Sequence, residues 1–199
     1  MRALVGVDEA GRGPLAGPVS VGVVVIKDPT LPRLRGANTF FKGIRDSKKL
    51  SAEERELWYA LALEAKKQGG LDFHVALVSE RVIDRHGIAY AIRLGVKRCL
   101  KALGVAHDDQ IFLDGSLKAP SNFKHQQTII KGDEKVPVIS LASIMAKVTR
   151  DRKMIRLAQK FPEFKFDIHK GYGTRVHLSV LRKLGPTPIH RRSFLKSLT

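Results

Sequence analysis

Two short valine-rich runs near the start, Leu4 to Val7 and Val19 to Ile26, constrain the fold more than any other feature of this chain. Both are apolar, both are strand-length, and both read as strands buried in a sheet. Between them lies Gly11-Arg12-Gly13-Pro14-Leu15-Ala16-Gly17-Pro18. That composition suits a hairpin-like connection whose backbone passes close to something else.

The rest of the chain mixes the two periodicities. Ser51-Ala52-Glu53-Glu54 is a capping box, so a helix starts at Ala52, with Leu57, Trp58, Leu61 and Ala65 on its apolar face. Residues 71–77 read as a strand. A second helix is expected from about Ile88 to Leu103, burying Ile92, Val96, Cys99, Leu100 and Leu103, which makes Cys99 a core residue. Gln110 to Leu113 is a short strand that stops at Asp114-Gly115, and Gln127 to Lys131 stops likewise at Gly132-Asp133. Helical patterns cover Ile139 to about Gln159 and Arg175 to Leu184, the latter halted by Gly185-Pro186. There is no internal repeat. Strands first, then alternating elements, describe an α/β domain with a mixed central sheet flanked by helices and a helical C-terminal region. Residues 1–199 are expected to form one such domain.

Charge narrows the partner. The chain carries 36 Lys and Arg against 19 Asp and Glu, a formal net charge of +17. Such a balance calls for a polyanion, and nucleic acid is the commonest. A membrane-surface protein would need a helix with one cationic and one bulky apolar face, and none stands out. No apolar run is long enough to cross a bilayer, and no secretory leader is recognised, so no membrane partner is expected. One cysteine cannot form an internal disulfide, which suits a reducing, cytoplasmic setting. From Lys147 to Lys196 there are fourteen Lys or Arg and three acids. The helical region from about 160 to 199 is therefore the expected grip on a phosphate backbone.

In so basic a chain the positions of the acids are informative. Asp8, Glu9, Asp114 and Asp133 each follow an apolar strand-like run and lie close to a glycine. Gathered at one sheet edge they would repel one another, and a hard divalent cation such as Mg2+ or Mn2+ would resolve the conflict. Two ions side by side can serve a phosphodiester. Asp8 and Glu9 are neighbours, so both reach one site only if the strand ends or bulges there. Taken singly, Asp114-Gly115 and Gly132-Asp133 are also ordinary turn pairs; the set of four points to a site.

Two further segments have two readings each. Ser47-Lys48-Lys49 before the helix start is either a phosphate contact or a solvated loop. Tyr172, bracketed by glycines in His169-Lys170-Gly171-Tyr172-Gly173-Thr174, either stacks on a base or sugar or simply packs. Histidines and the lone cysteine lack zinc-ligand spacing, Gly11 to Pro18 lacks the Gly-Lys-Ser/Thr ending of a P-loop, and no Gly-x-Ser-x-Gly elbow is present.

Seven blocks together resemble the ribonuclease HII family. They are Gly6-Val7-Asp8-Glu9-Ala10-Gly11-Arg12-Gly13-Pro14-Leu15-Ala16-Gly17-Pro18-Val19, Asp46-Ser47-Lys48-Lys49-Leu50, Leu113-Asp114-Gly115, Lys131-Gly132-Asp133, Ala142 to Asp151, His169 to Thr174, and His190-Arg191-Arg192-Ser193-Phe194. They occur in family order over nearly the whole chain. The resemblance implies a ribonuclease H-like fold. It also implies that Asp8, Glu9, Asp114 and Asp133 bind metal and carry the catalysis. Gly11, Arg12 and Gly13 resemble a loop that senses the 2′-hydroxyl, largely through backbone groups. Tyr172 resembles a tyrosine set against the sugar at the RNA-to-DNA junction. Ser47 and Lys49 resemble phosphate contacts, with Ser143 and Lys147 nearby in roles left open.

The implied activity is endonucleolytic hydrolysis of the RNA strand of RNA–DNA hybrids. Cleavage 5′ of single ribonucleotides embedded in duplex DNA is implied as well, leaving a 3′-hydroxyl and a 5′-phosphate. Related ribonucleases HIII carry an extra N-terminal domain; here the first strand starts within a few residues of Met1, which favours HII. The tail beyond Phe194 is short, so no clamp-binding peptide is expected, and a monomer suffices. Two rivals stand: a non-catalytic basic RNA-binding protein, and a nuclease of the same fold without 2′-hydroxyl selectivity.

Overall fold

The computed structural model describes residues 2–27, 40–41, 43–44 and 47–195. Asp46 and the tail residues 196–199, on which the clamp-peptide expectation falls, lie outside the described residues.

The two valine-rich runs form β1 (Leu4–Ala10) and β2 (Val19–Ile26), paired antiparallel with Leu4 opposite Ile26 and Ala10 opposite Ser20. The capping box starts α1 (Ala52–Lys67): Ser51 Oγ accepts from the Glu54 N–H at 3.1 Å and the Glu54 carboxylate accepts from the Ser51 N–H at 2.7 Å. There follow β3 (Leu71–Val78), α2 (Glu80–His86), α3 (Ile88–Ala102), β4 (Gln110–Asp114), β5 (Gln126–Ile129), α4 (Gly132–Lys135) and α5 (Pro137–Lys160). A 3-10 turn at Pro162–Phe164 leads into α6 (Phe166–His169), α7 (Arg175–Leu184) and α8 (Arg192–Leu195). The sheet order is β3-β2-β1-β4-β5. The β1–β2 and β2–β3 pairs are antiparallel, whereas β1–β4 and β4–β5 are parallel, so the sheet is mixed as expected.

Each sheet face buries its own core. Val5, Val7, Val21 and Val23 pack against Ala91, Ile92, Val96, Cys99 and Leu100 of α3. Val24 and Ile26 pack with Trp58, Ala62 and Ala65 of α1 and with Leu141, Ala142 and Met145 of α5. A third cluster lies beyond the sheet, where Ala16 meets Met154, Leu157, Phe164 and Phe166. Cys99 is wholly buried, its thiol donating to the Val21 carbonyl oxygen, and burial pushes that thiol up to about 12. No helix is long and apolar enough to cross a membrane among the described residues.

Several boundaries differ from the sequence reading. The buried stripe of α1 is Trp58, Ala62 and Ala65; Leu57, expected inside, is 61% exposed. One residue of offset turns a side chain by about 100°, enough to leave a narrow stripe. Leu103 is half-buried just past the end of α3. Helix α5 begins at Pro137, where a missing N–H costs a first-turn residue nothing. Helix α2 is too short to display a period.

Helix α5 owes its position to two glycines. A Cβ at Gly6 would lie 2.3 Å from the Val138 carbonyl oxygen, and one at Gly22 would lie 2.3 Å from that of Ala142. The helix backbone thus rests directly on the sheet. Gly22→Ala should destabilise by roughly 2–3 kcal/mol, seen as a lower urea midpoint with an unchanged slope. An unshifted midpoint would mean that α5 lifts away freely.

Candidate active site

The register between β1 and β4 decides which acids meet. Their parallel pairing ends with Val7 opposite Leu113, so the next residues on the two strands, Asp8 and Asp114, emerge side by side. Asp133 arrives from α4, directly after β5. Lys131 takes a left-handed conformation there (φ 54°) and aims the following amides back at the strand end. The Gly132 and Asp133 N–H groups donate to Asp114 Oδ1 at 2.7 and 3.3 Å. One carboxylate oxygen from each of Asp8, Asp114 and Asp133 lies within 4.8 Å of the others. Asp8 and Asp133 are buried and Asp114 is half-buried.

This crowding has an electrostatic cost. Burial, and next the Glu9 charge, push the Asp8 carboxyl well above its usual range, with Asp114 adding to the effect. A hydrogen bond from Ser143 and the Glu9 N–H, 2.7 Å from Asp8 Oδ1, oppose it. Glu9 is also raised, by burial first and by Asp114, against the pull of Arg12. Glu9 Oε2 is buried without a hydrogen-bond partner. Lys48 Nζ lies 3.5 Å from Asp133 Oδ2, and Arg12 Nη2 lies 3.0 Å from Glu9 Oε1. A crowded set of oxygen-only donors fits a hard divalent cation.

Glu9 follows Asp8 on an unbroken strand. No bulge interrupts β1, which keeps pairing with β2 through Glu9–Val21 and Ala10–Ser20. Strand alternation starts the Glu9 side chain towards the other face, and its longer arm brings the carboxylate back close enough to interact with Asp8 and Asp114. Glu9 Oε1 pairs with Arg12 Nη2 at 3.0 Å, and Glu9 is not among the three clustered acids. Its charge still acts on Asp8 and Asp114.

The other expected residues fall into two groups. Ser47 and Ser143 are buried with their hydroxyls 2.9 Å apart, forming a hydroxyl pair behind Asp8. Lys49 and Lys147 are engaged elsewhere: Lys49 pairs with Glu134 at 3.0 Å, and Lys147 with Asp151 at 2.9 Å. Burial lowers the Lys147 pKa against the pull of Asp151. Lys48, between the two expected phosphate contacts, is the residue that reaches a site acid.

The Gly11–Gly13 loop flanks the acids at the end of β1. Arg191, wholly buried, donates to this loop twice, Nη1 to the Arg12 oxygen at 2.9 Å and Nη2 to that of Gly11 at 2.7 Å, and its Nε donates to the Gly17 oxygen at 2.9 Å. In a planar trans peptide the N–H opposes the C=O. With their carbonyls turned inward, those peptides turn the Arg12 and Gly13 N–H groups outward. A Cβ at Gly13 would meet nothing within 4 Å, so that side is open.

Tyr172 stands 44% exposed on a segment held from below by histidines. His177 Nδ1 donates to the Tyr172 carbonyl oxygen at 2.9 Å, and His177 Nε2 lies 2.9 Å from His190 Nε2. His190 Nδ1 accepts from the Thr187 N–H at 2.9 Å. The network closes only if both rings are neutral, with His190 donating to His177. Burial, then the His177 charge, lower His190 from its usual 6.5 to about 4. His169 and His177 are lowered by burial as well. The folded state thus binds fewer protons than the unfolded one. This contribution is complete above pH 6.5 and is lost as pH falls towards 4. For His190 it is on the order of 3 kcal/mol. The stability difference between wild type and His190→Gln should therefore shrink across that window; a pH-independent difference would refute neutral rings.

Sequence reasoning missed Arg191, Arg150 and the His177–His190 pair as parts of this region. Both arginines lie in the quoted blocks, but a buried guanidinium and a solvated one look alike in a sequence. A Thr-Pro-x-His turn at Thr187–His190 was the available hint for the histidines.

Comparisons with known proteins agree with this architecture. The family model for Ribonuclease HII matches residues 5–197. Ribonuclease HII of Caldicellulosiruptor bescii is 41% identical over 197 residues, covering 99% of this chain and 88% of that protein. Among solved structures, ribonuclease H2 from Pyrococcus horikoshii OT3 is 32% identical with a TM-score of 0.68, covering 96% of this chain and 93% of that one. Ribonuclease HII of Archaeoglobus fulgidus, solved in complex with PCNA, is 26% identical with a TM-score of 0.72, covering 95% and 93%.

Proposed function

Because the chain belongs to the ribonuclease HII family, we propose that this metal-dependent endoribonuclease cuts both RNA–DNA hybrids and single ribonucleotides embedded in duplex DNA. The observation that carries the reading is the cluster of Asp8, Asp114 and Asp133 at one sheet edge, beside outward-facing Arg12 and Gly13 N–H groups. Asp8, Glu9, Asp114 and Asp133 would hold two divalent ions, Mg2+ or Mn2+. Such ions supply positive charge beside the phosphodiester oxygens and lower the cost of negative charge building there.

The protein's own groups do the rest. The Arg12 and Gly13 N–H groups donate to the ribose 2′-hydroxyl oxygen, which deoxyribose lacks. Tyr172 packs against the sugar on the other side. The Ser47–Ser143 hydroxyls hold the Asp8 carboxylate in place, and Lys48, with Lys49 beside it, meets the phosphates. Lys147 supports this wall through Asp151. The cationic region from about 160 to 199 grips the flanking backbone. Cleavage 5′ of the ribonucleotide leaves a 3′-hydroxyl and a 5′-phosphate, and the cellular task is ribonucleotide removal and primer processing in the cytoplasm by a monomer.

The test compares three duplexes of one sequence: all-DNA, one containing a single ribonucleotide, and a uniform hybrid, each with Mg2+ and then Mn2+. Cleavage confined to the two RNA-containing substrates is expected. Equal cleavage of all-DNA would identify a nuclease without a 2′-hydroxyl sensor, and no cleavage of any would favour a binding protein. Tyr172→Ala should lower cleavage at the lone ribonucleotide about tenfold or more, while its exposed ring costs little stability, within ~1 kcal/mol. An unchanged rate would remove Tyr172 from the sugar contact.

A further inference from the structure

Arg150 of α5 is 1% exposed, yet no carboxylate pairs with it among the described residues; the adjacent Asp151 pairs with Lys147 instead. Backbone carbonyls take the place of an anion. Arg150 Nε donates to the Pro18 oxygen at 2.9 Å, Nη2 to the Ala16 oxygen at 3.2 Å, and Nη1 to the Lys170 oxygen at 3.0 Å. The first two belong to the glycine-rich connection after β1, and the third belongs to the segment carrying Tyr172. The guanidinium carbon is also 5.9 Å from the centre of the Tyr172 ring. One rigid fork thus touches both sides of the region where substrate is expected.

The surroundings are built to this fork. A Cβ at Gly11, whose φ is +87°, would fall 2.0 Å from Arg150 Nε. One at Gly171 would fall 2.5 Å from the Ala16 carbonyl oxygen, and the Leu15 N–H donates to the Gly171 oxygen at 2.8 Å. The two segments therefore approach as closely as backbones can, with Arg150 wedged at their junction. Arg191 is the contrasting case: among the described residues its guanidinium hydrogen-bonds to the glycine-rich connection and not to the Tyr172 segment.

We propose that Arg150 is a positioning residue that sets the spacing between the Gly11–Gly13 loop and Tyr172, and so the selectivity for a lone ribonucleotide. The proposal rests on reading those two segments as the 2′-hydroxyl and sugar contacts. A lone ribonucleotide must be met from both sides at one place, so slack between the segments costs recognition there most. A uniform hybrid offers many registers and tolerates slack. Lysine keeps the charge but lacks the planar fork, and cannot hold three carbonyls in fixed directions.

The experiment uses the full chain and compares wild type, Arg150→Lys and Arg191→Lys. Amide hydrogen exchange is followed over residues 9–18 and 168–175. Cleavage is measured on the single-ribonucleotide duplex and on the uniform hybrid, and Mn2+ binding by calorimetry. Arg150→Lys is expected to deprotect both segments and to lower the single-to-hybrid ratio of kcat/KM at least tenfold, with Mn2+ affinity unchanged. Arg191→Lys is expected to deprotect only residues 9–18. Equal losses on both substrates, protection retained in either segment of Arg150→Lys, or equal loosening of both segments by Arg191→Lys would overturn the proposal.

If Arg150→Lys does not fold, Gly11→Ala displaces the guanidinium with a methyl group and must loosen residues 168–175 as well; failure to do so is equally decisive. A wild type that cuts all-DNA as readily would defeat the functional reading instead, while hydrogen exchange still decides whether Arg150 joins the two segments.

Discussion

Asp8→Asn lowers cleavage by at least about a thousandfold while the protein stays folded. The amide matches the carboxylate in shape, and its Oδ1 can still accept from the Glu9 N–H, 2.7 Å away in the wild type. What disappears is a negative charge that burial, Glu9 and Asp114 already disfavour. Without metal, then, the substitution removes a repulsion. The melting temperature in chelator should be unchanged or higher than wild type. Hybrid binding should persist, since the cationic surface is untouched. A joint loss of activity and melting temperature would assign Asp8 to folding rather than to chemistry. Asp8→Ala is a poorer probe, because it also removes the side-chain acceptor of the Glu9 N–H.

Removing divalent cations should abolish cleavage altogether, and restoring them should stabilise the fold. A ligand that binds only the native state adds about 2.7 kcal/mol at a hundred times its dissociation constant. For a domain of this size each kcal/mol is worth roughly 2–4 °C. A rise of about 5–10 °C on adding saturating Mg2+ or Mn2+ is the expected readout. Asp133→Asn should blunt it, because Asp133 is one of the three clustered acids. Cleavage that continues in excess chelator, or a melting temperature indifferent to both cations, would refute the metal centre. The stability arm does not depend on finding the right substrate.

Local pattern was enough for much of this molecule. The valine-rich runs became β1 and β2, Ser51 and Glu54 closed the capping box, and Cys99 went into the core. These outcomes depend on residues within a few positions of one another, where dihedral preference, periodicity and turn chemistry act directly. The acids at strand ends were legible for the same reason: each is marked by its own apolar run and glycine.

Whether those acids converge, and which neighbours they acquire, depended on long-range register. Val7 opposite Leu113 brings Asp8 beside Asp114, and the Glu9 carboxylate lies close enough to interact with both. Ser47, which reads along the chain as a loop residue, lies under Asp8 because α5 brings Ser143 to it. The two buried arginines escaped notice because burial is set by what packs around a side chain. Only when α5 and the C-terminal segment fold back over the glycine-rich connection do its carbonyls become their partners. Short-range preferences choose helices and strands; contacts between distant segments choose the charges that meet and the ones that are sealed from water.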